Sequence, residues 1–212
     1  FITEWTAISG YLRDMTFVGN KGHVLCAVGE VEGKGILQVW DWRSIKEGVI
    51  SQYHASESLT KTATSADGRF LAAGSSNGDI LVWELPDGFS DIDTLRPKFL
   101  YGHNSRITDL AFYSDENLLV SASLDQTVRL WDPSNADLDP VVIDHPSWIW
   151  SVDVSPDGGT IAVGTNDGEV YLWTANTELL ADRLRARVER NLTQLEWKEY
   201  VGTLKYREII KD

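Results

Sequence analysis

The stretch SASLDQTVRLWD, residues 121–132, decides the fold because it places an aspartate six residues before a tryptophan in a strand-like run. Apolar residues alternate with small polar ones up to Leu124, a polar break follows at Asp125, and a second apolar run ends at Trp131. Two short strands joined by a tight turn fit this pattern. An aspartate suits the turn because its carboxylate accepts backbone N–H groups that the sheet leaves unpaired.

The same pattern occurs three more times in the chain. It passes Trp40, Trp83 and Trp173, so that successive tryptophans are 43, 48 and 42 residues apart. Strand-like runs that end in small residues precede the later copies: FLAAGSS, LLVSAS and TIAVGT. A repeat of this length indicates that each copy is one small antiparallel sheet.

These repeats resemble the WD-repeat β-propeller family. The resemblance rests on Gly102-His103, on Trp131-Asp132 and on the segments SADGRFLAAGS and SPDGGTIAVGT, and it covers roughly residues 1–175. It implies an all-β propeller with about four blades present, as part of a larger ring, because family members usually close about seven blades. It is specific for the fold and says little about the function.

The resemblance also implies a hydrogen-bonded chain of four side chains in one blade. Carried over residue by residue, the chain consists of His103, Ser121, Asp125 and Trp131. Asp125 is then expected to orient His103, whose buried ring nitrogens need hydrogen-bond partners. Because Ala73 and Val163 occupy the serine position in two other copies, we predict that only one blade has the complete chain.

The predicted domains are a partial propeller over residues 1–175 and a helical tail over residues 176–212. FITEWTAIS at the start aligns with residues 49–58, which predicts an outermost strand over residues 1–9 before the four repeats. An open set of blades would expose two apolar sheet faces. We expect an absent N-terminal part of the same propeller to cover them. A ring of eight blades from two copies, or closure of the four blades on themselves, is the alternative.

The last 37 residues change period. Leu180, Leu184 and Val188 recur every four residues, which predicts a helix with one apolar stripe, and Thr193 with Glu196 forms a capping box for a second helix. The segment NLTQLEWKEYVG resembles the one that follows the final blade in many bacterial WD-repeat signalling proteins. That resemblance implies an alternative function, the regulatory C-terminal part of a multi-domain enzyme with an N-terminal NTPase or protease-like domain.

Charge and composition limit the classes of ligand. The net charge is −13, and residues 1–175 hold 11 basic and 25 acidic side chains, so we expect no nucleic-acid ligand. No apolar run approaches the roughly 18 residues of a membrane helix, and no signal peptide is visible. The single cysteine, Cys26, excludes an internal disulfide framework and favours a reducing compartment, so we expect a cytoplasmic protein.

The residues do not predict a catalytic or metal-binding constellation. His54, His103 and His145 fall at one repeat position, which indicates a structural role, and His23 has no acidic or sulfur neighbour at metal-ligand spacing. The common nucleophile, phosphate-loop and zinc motifs are missing from the sequence. We therefore expect no enzyme activity, no cofactor and no metal, although acidic loop residues leave calcium as an open alternative.

Binding of a protein or peptide, as a scaffold or sensor, is the predicted function. The resemblance implies docking on the face where the inner strands begin, and the acidic charge favours a partner with a basic surface. WIWSVDVSPDG is the most suggestive copy because Trp and Arg side chains often dominate binding energies, and packing is the alternative role for both tryptophans. The candidate binding residues are Tyr11, Arg13, Ser58, Arg106, Trp148 and Trp150.

Overall fold

The computed structural model describes residues 6–19, 22–85, 92, 95–113 and 118–174 of the chain. Within them the chain forms fifteen strands in four antiparallel sheets and one 3₁₀ turn, Ile45–Glu47. Neighbouring strands in each sheet are consecutive in sequence, so the prediction of an all-β fold is confirmed. No helix in this part of the chain is long and apolar enough to cross a membrane.

The four sheets are named blades 1 to 4 in chain order. Blade 1 consists of β1 (Tyr11–Phe17), β2 (Val24–Val31), β3 (Lys34–Asp41) and β4 (Ser51–Ala55). Blade 2 consists of β5 (Leu59–Thr64), β6 (Phe70–Ser75), β7 (Ile80–Glu84) and β8 (Lys98–Leu100). Blade 3 consists of β9 (Ile107–Phe112), β10 (Leu119–Ser123), β11 (Thr127–Trp131) and β12 (Val141–Asp144). Blade 4 consists of β13 (Ile149–Val154), β14 (Thr160–Thr165) and β15 (Val170–Thr174).

Tight turns join the first two strands of blades 2 and 4, at the two segments SADG and SPDG. Ser65 Oγ donates to Asp67 Oδ1 at 2.6 Å, and the Gly68 N–H donates to Ser65 O at 2.9 Å. The Gly158 N–H makes the same bond to Ser155 O at 2.8 Å. Gly68 and Gly158 have φ values of 72° and 67°, a left-handed conformation that glycine adopts without strain.

The first strand of each blade is the innermost, and these four strands lie next to one another. Each has a β-bulge near its start, which turns one side chain out of the regular alternation. The bulge residue Thr60 donates its hydroxyl to Ile107 O of the next blade at 2.7 Å. Thr108 does the same to Ile149 O at 2.8 Å. These bonds align the starts of neighbouring inner strands.

Carboxylates further along the inner strands join the blades a second time. Asp14 Oδ2 accepts the Thr62 N–H at 3.0 Å, and Asp109 Oδ2 accepts the Val152 N–H at 3.1 Å. Blade 2 has Lys61 at this position, and its Nζ lies 3.6 Å from Asp109 Oδ1 instead. The pairs β5/β9 and β9/β13 are therefore connected by polar contacts at two levels, and β1/β5 by the contact of Asp14.

The apolar core lies between the blades. Leu37 of blade 1 packs with Leu59 and Trp83 of blade 2 in one fully buried cluster. A second cluster places Ile80 of blade 2 against Ile107 of blade 3. Burial of such side chains stabilises each one by about 1.5–3 kcal/mol, so the contact between blades supplies most of the stabilisation of the fold.

The outward faces of blades 1 and 4 carry apolar residues at the positions that are buried between blades elsewhere, and no described residue packs on them. Three residues before the tryptophan, Leu37, Ile80 and Val128 are fully buried, whereas the equivalent Val170 is 70% exposed. One residue before it, Leu172 of blade 4 is 71% exposed. On the outward side of blade 1 the exposed side chains are Leu12, Met15 and Phe17. Both faces are therefore built like the interfaces between neighbouring blades.

The two ends of the sequence stay largely outside the described residues. Residues 6–10 form bends, and the first five residues of the outermost strand predicted over residues 1–9 lie outside the described residues. The helical tail predicted over residues 176–212 lies outside the described residues. Both remain predictions.

Gly74 tests the contact between blades 2 and 3. A methyl group added there would lie 2.5 Å from Cγ2 of Ile107, whereas one added at the equivalent Gly164 would meet only the rotatable Ser151 hydroxyl at 2.6 Å. We expect Gly74→Ala to lower the free energy of unfolding by about 1–3 kcal/mol, because a packed core cannot absorb the added volume.

Gly164→Ala is the matched control and should change the same quantity by less than about 0.5 kcal/mol. Urea unfolding followed by circular dichroism measures both variants. Equal losses in the two variants would show that the close approach of Gly74 to Ile107 does not limit the packing.

Candidate functional site

The residues at the starts of the inner strands lie on one face, which we call the rim. They are the first residue of β1, the residues directly before β5, β9 and β13, and Arg13 and Trp150 two positions further on. The carbonyl oxygens of Ser58, Arg106 and Trp148 accept backbone N–H groups from the second turn of their own blades at 2.9, 3.1 and 2.8 Å. Tyr11 pairs with Glu30 at the corresponding place in blade 1. Because the four inner strands lie next to one another in chain order, these residues follow one another around the rim: Tyr11, Ser58, Arg106 and Trp148.

The rim residues of blades 1 and 2 are linked through one carboxylate. Arg13 Nη2 lies 3.2 Å from Glu30 Oε2, and the guanidinium carbon lies 5.5 Å from the centre of the Tyr11 ring. Hydrogen bonds from Ser58 and then from Arg13 lower the pKa of Glu30 below its ordinary value. The structure therefore brings together three of the six predicted binding residues. Glu30, which links them, was not among the predicted residues.

Trp148 and Trp150 form the second part of the rim. Trp148 is 51% exposed and Trp150 is 50% exposed, so neither is a core residue of the described blades. Trp150 Nε1 donates to Asn166 Oδ1 at 3.0 Å. Trp150 occupies the bulge position at which Thr60 and Thr108 contact the next blade, and no described residue covers that side of blade 4. Arg106 is exposed and forms the rim between the two parts.

The four predicted side chains of blade 3 form one continuous hydrogen-bonded chain. His103 Nδ1 lies 2.8 Å from Asp125 Oδ2, and His103 Nε2 lies 2.7 Å from Ser121 Oγ. Trp131 Nε1 donates to Ser121 Oγ at 2.8 Å. The indole can only donate, so Ser121 accepts from it and donates to His103 Nε2, which leaves the proton of the neutral ring on Nδ1 facing Asp125.

The charges of this chain follow from its surroundings. Burial lowers the pKa of His103 below 6.5, although Asp125 partly opposes this, so the ring is neutral at pH 7. Burial alone would raise the pKa of Asp125, but hydrogen bonds from His103 and from the Asn104 N–H lower it below its ordinary value. Asp125 also accepts the Thr127 N–H at 3.0 Å, so it organises the whole turn.

Comparison with protein families identifies these repeats. The family described as "WD domain, G-beta repeat" matches residues 49–84, 95–132 and 139–174, which together make up just over half of the chain. The chain belongs to the WD-repeat family. The three matched segments contain Trp83, Trp131 and Trp173.

Similar WD-repeat proteins come from eukaryotes. The chain is 30% identical to Periodic tryptophan protein 2 of Arabidopsis thaliana over 152 residues, 71% of this chain and 16% of that protein. It is 31% identical to an F-box/WD-40 repeat-containing protein of Arabidopsis thaliana over 150 residues, 68% of this chain and 26% of that protein. With the Nuclear distribution protein nudF of Aspergillus niger it shares 27% identity over 139 residues, 65% of this chain and 30% of that protein.

The chain thus spans less than a third of the length of these three relatives. The comparisons do not support the resemblance of NLTQLEWKEYVG to bacterial signalling proteins, nor the alternative function as a regulatory part of a bacterial enzyme, because the relatives found are eukaryotic. The segment itself lies outside the described residues.

Blade 1 of this WD-repeat chain replaces the polar chain with an apolar cluster. Counted from the paired strands, Ile8 stands at the position of His103, Ala27 at that of Ser121 and Ile36 at that of Thr127. Ile8, Ala27 and Ile36 are buried together. The same site is therefore filled by a hydrogen-bonded polar network in blade 3 and by apolar side chains in blade 1.

The prediction that three histidines share one repeat position is wrong for His54. His54 lies within β4, is exposed and pairs with Ile36 across the sheet. His103 and His145 each precede the first residue of their inner strand by four positions, whereas His54 precedes Leu59 by five. Ala55 therefore takes the repeat position in blade 2.

Blades 2 and 4 are WD repeats with incomplete chains, as predicted. In the described residues, Trp83 Nε1 is buried without a hydrogen-bond partner because Ala73 replaces the serine. His145 Nε2 is likewise unpaired because Val163 stands at the serine position of blade 4. The imidazole ring packs edge-on against Tyr171 and Trp173, with ring centres 5.0 and 5.7 Å apart. An unpaired buried polar group costs about 1–3 kcal/mol of folding free energy, so this site stabilises blades 2 and 4 less than it stabilises blade 3.

Other chemistry has little support in the part of the chain that the structure describes. No three His, Cys, Asp or Glu side chains there are close enough together to hold a metal ion. Cys26 is fully buried, and burial raises the pKa of its thiol to about 12, so the thiol is neutral and inert.

Val163→Thr tests the missing serine of blade 4. The new hydroxyl can donate to His145 Nε2, as Ser121 does to His103, so the gain of about 1 kcal/mol offsets the cost of burying a hydroxyl. We expect the free energy of unfolding to change by less than about 0.5 kcal/mol. Val120→Thr, which is equally buried and pairs with the apolar residues Leu130 and Ala111 across the sheet, should lower it by about 1–3 kcal/mol. Equal losses would contradict the assignment of the unpaired nitrogen.

The neutral state of His103 predicts the direction of acid sensitivity. Its pKa is lower in the folded protein than the 6.5 of the unfolded chain, so the unfolded state binds more protons below that pH. This contribution to stability is fully present above pH 6.5 and is lost as the pH falls towards the folded pKa. Denaturant unfolding at pH 7.5 and 5.5 should show a larger loss in the wild type than in His103→Gln. Equal losses would mean that the ring is protonated in the folded state.

Proposed function

We propose that this chain is a non-catalytic interaction module that binds a protein or peptide partner on the rim. The observation that carries the proposal is the exposure of two tryptophans, Trp148 and Trp150, at the start of one inner strand. Large half-exposed aromatics of this kind are rare on non-binding surfaces, and Trp, Tyr and Arg are the side chains that dominate binding energies most often. The rim contains all three types.

The backbone that carries these side chains is fixed before a partner arrives. The rim carbonyls of blades 2 to 4 are bonded within their own blades, and threonine hydroxyls bond the inner strands of blades 2 and 3 to the next blade. Little backbone entropy is therefore lost on binding, which supports affinity without a conformational change. This rigidity fits a scaffold that presents a surface rather than an enzyme that closes over a substrate.

Charge supports a partner with a basic surface. The excess of 25 acidic over 11 basic side chains in residues 1–175 attracts cationic partners and makes the association rate salt-dependent. Nucleic acids and anionic membrane surfaces are repelled by the same charge, so we propose neither as a ligand. We also propose a cytoplasmic location, supported by the reduced and buried Cys26.

The outward faces of blades 1 and 4 are a second contact surface in this proposal. Val170 and Leu172 occupy positions that are buried against the next blade in blades 1 and 2. We propose that further blades of the same propeller cover both faces, with a second copy of this chain as the alternative cover. The short span of the chain within its relatives supports further blades.

The rim is tested by affinity purification from a lysate of the organism that encodes the protein. We expect Trp148→Ala and Arg106→Ala each to reduce recovery of a specific protein partner by tenfold or more, as for a binding hot spot. The thermal midpoint of Trp148→Ala should fall by only a few degrees, because the side chain is half exposed.

Phe99→Ala and Arg96→Ala are the matched controls, since both residues are exposed and lie away from the rim. They should leave recovery unchanged. A partner that all four variants retain equally, or a large loss of stability in Trp148→Ala, would contradict a binding role of the rim.

A further inference from the structure

We infer that Trp148, Trp150 and the adjoining turn Asn166–Glu169 form a docking site for a lysine or arginine side chain of the partner. The inference rests on the proposed function, because it assigns the chemistry that one part of the rim recognises. It is carried by three observations, which concern the geometry of the two tryptophans, the carboxylates beside them and the missing counter-charges of blade 4.

One turn residue holds both tryptophans. The backbone N–H of Asn166 donates to Trp148 O at 2.8 Å, and the side-chain Oδ1 of Asn166 accepts from Trp150 Nε1 at 3.0 Å. The indole N–H of Trp150 is thus already bonded within the blade, and its remaining exposed surface is the aromatic ring. Exposed indole faces attract cations, and among aromatic side chains tryptophan does so most strongly.

Two carboxylates stand in the same turn. The hydroxyl of Thr165 donates to Asp167 Oδ1 and lowers the pKa of that carboxyl, which is ionised at neutral pH. Glu169 Oε2 accepts from the Tyr171 hydroxyl at 2.5 Å. Gly168, with φ of 82°, makes the tight turn that places one carboxylate on each side of it. Asp167 and Glu169 are both exposed.

Blade 4 offers these carboxylates no internal partner. Residues 130–174 contain eight acidic side chains and no lysine or arginine. Carboxylates of the other three blades do form ion pairs with Arg13, Arg43, Arg69 and Lys61, at distances of 2.6 to 3.6 Å. Among the described residues of blade 4 no such pair occurs. No described cation therefore pairs with the negative charge beside the two tryptophans.

This combination favours a cationic side chain over the other partners of aromatic surfaces. An acidic or phosphorylated segment would be repelled by Asp167 and Glu169. A proline-rich segment would use the indoles alone and gain nothing from the carboxylates. A lysine or arginine uses both, through the aromatic faces and through charge pairing.

The test uses capped hexa-arginine as the probe and hexa-glutamate and hexa-proline as comparison peptides. Binding is followed through the indole N–H signals in the ¹⁵N NMR spectrum of the labelled protein, with Trp148→Phe and Trp150→Phe to assign them. We expect saturable binding of hexa-arginine that shifts the signals of both tryptophans, and no binding of the other two peptides. Trp148→Ala and Trp150→Ala should each weaken binding by about two- to fivefold.

Charge controls separate a site from general attraction. Asp167→Asn and Glu169→Gln should each weaken hexa-arginine binding by at least twofold, whereas Asp139→Asn removes the same charge from an exposed loop and should change it by less. Equal effects of all three, or no effect of the tryptophan variants, would overturn the site. So would binding of hexa-proline with equal affinity. If Trp150→Ala lowers the stability and leaves hexa-arginine binding unchanged, Trp150 is a packing residue and does not belong to the docking site.

Failure of this inference can be told apart from failure of the proposed function. If the lysate experiment yields a partner that depends on the rim but hexa-arginine does not displace it, the docking site is overturned and the proposed function stands. If hexa-arginine binds as expected but no partner depends on the rim, the proposed function fails while the chemistry of the site stands. Displacement of a rim-dependent partner by hexa-arginine supports both.

Discussion

Burial of each sheet against its neighbour is the constraint on which the rest of this structure depends. A four-stranded sheet of this size has two apolar faces and cannot cover both by itself, so a single blade has no core of its own. The core clusters lie between blades, and the inner strands are joined there by hydroxyl and carboxylate hydrogen bonds. The rim follows from this arrangement, because aligned inner strands bring their first residues to one face.

The hydrogen-bonded chain of blade 3 is one of two solutions to the same local problem. The space beneath the second turn must be filled, and an unpaired buried polar atom there costs stability. His103 and Ser121 do so with a closed set of hydrogen bonds, and Ile8 and Ala27 do so with apolar contacts. Blades 2 and 4 mix the two solutions, which leaves Trp83 and His145 each with an unpaired nitrogen. Replacing the polar network by the apolar cluster requires several residues to change together, since a single substitution leaves a hydrogen-bond partner unpaired.

Much of the fold was predictable because its signals are local. The alternation of apolar residues predicted the strands, and the repeat spacing predicted where the inner strands begin. The hydrogen-bonded chain of His103 was implied by the resemblance to the WD-repeat family. The error at His54 came from one residue of spacing, because β4 and β5 are joined by a connection of a different length from those before β9 and β13. The contacts of Glu30 and Asn166 were not predictable, since each depends on where a turn meets a strand start from another part of its blade or from the next blade.

The sequence by itself determined the period, the strands and the turns, because each depends on residues close together in one repeat, and the family resemblance supplied the identity of the polar chain. The tertiary structure decided which of these equivalent residues are buried and which are available for binding. Trp83 and Trp173 share one motif position, yet Trp83 is fully buried and Trp173 is partly exposed. Thr60 and Trp150 share another, and Thr60 is buried against blade 3 whereas no described blade covers Trp150. The physical reason is that burial depends on the neighbouring sheet, whose position no single repeat encodes.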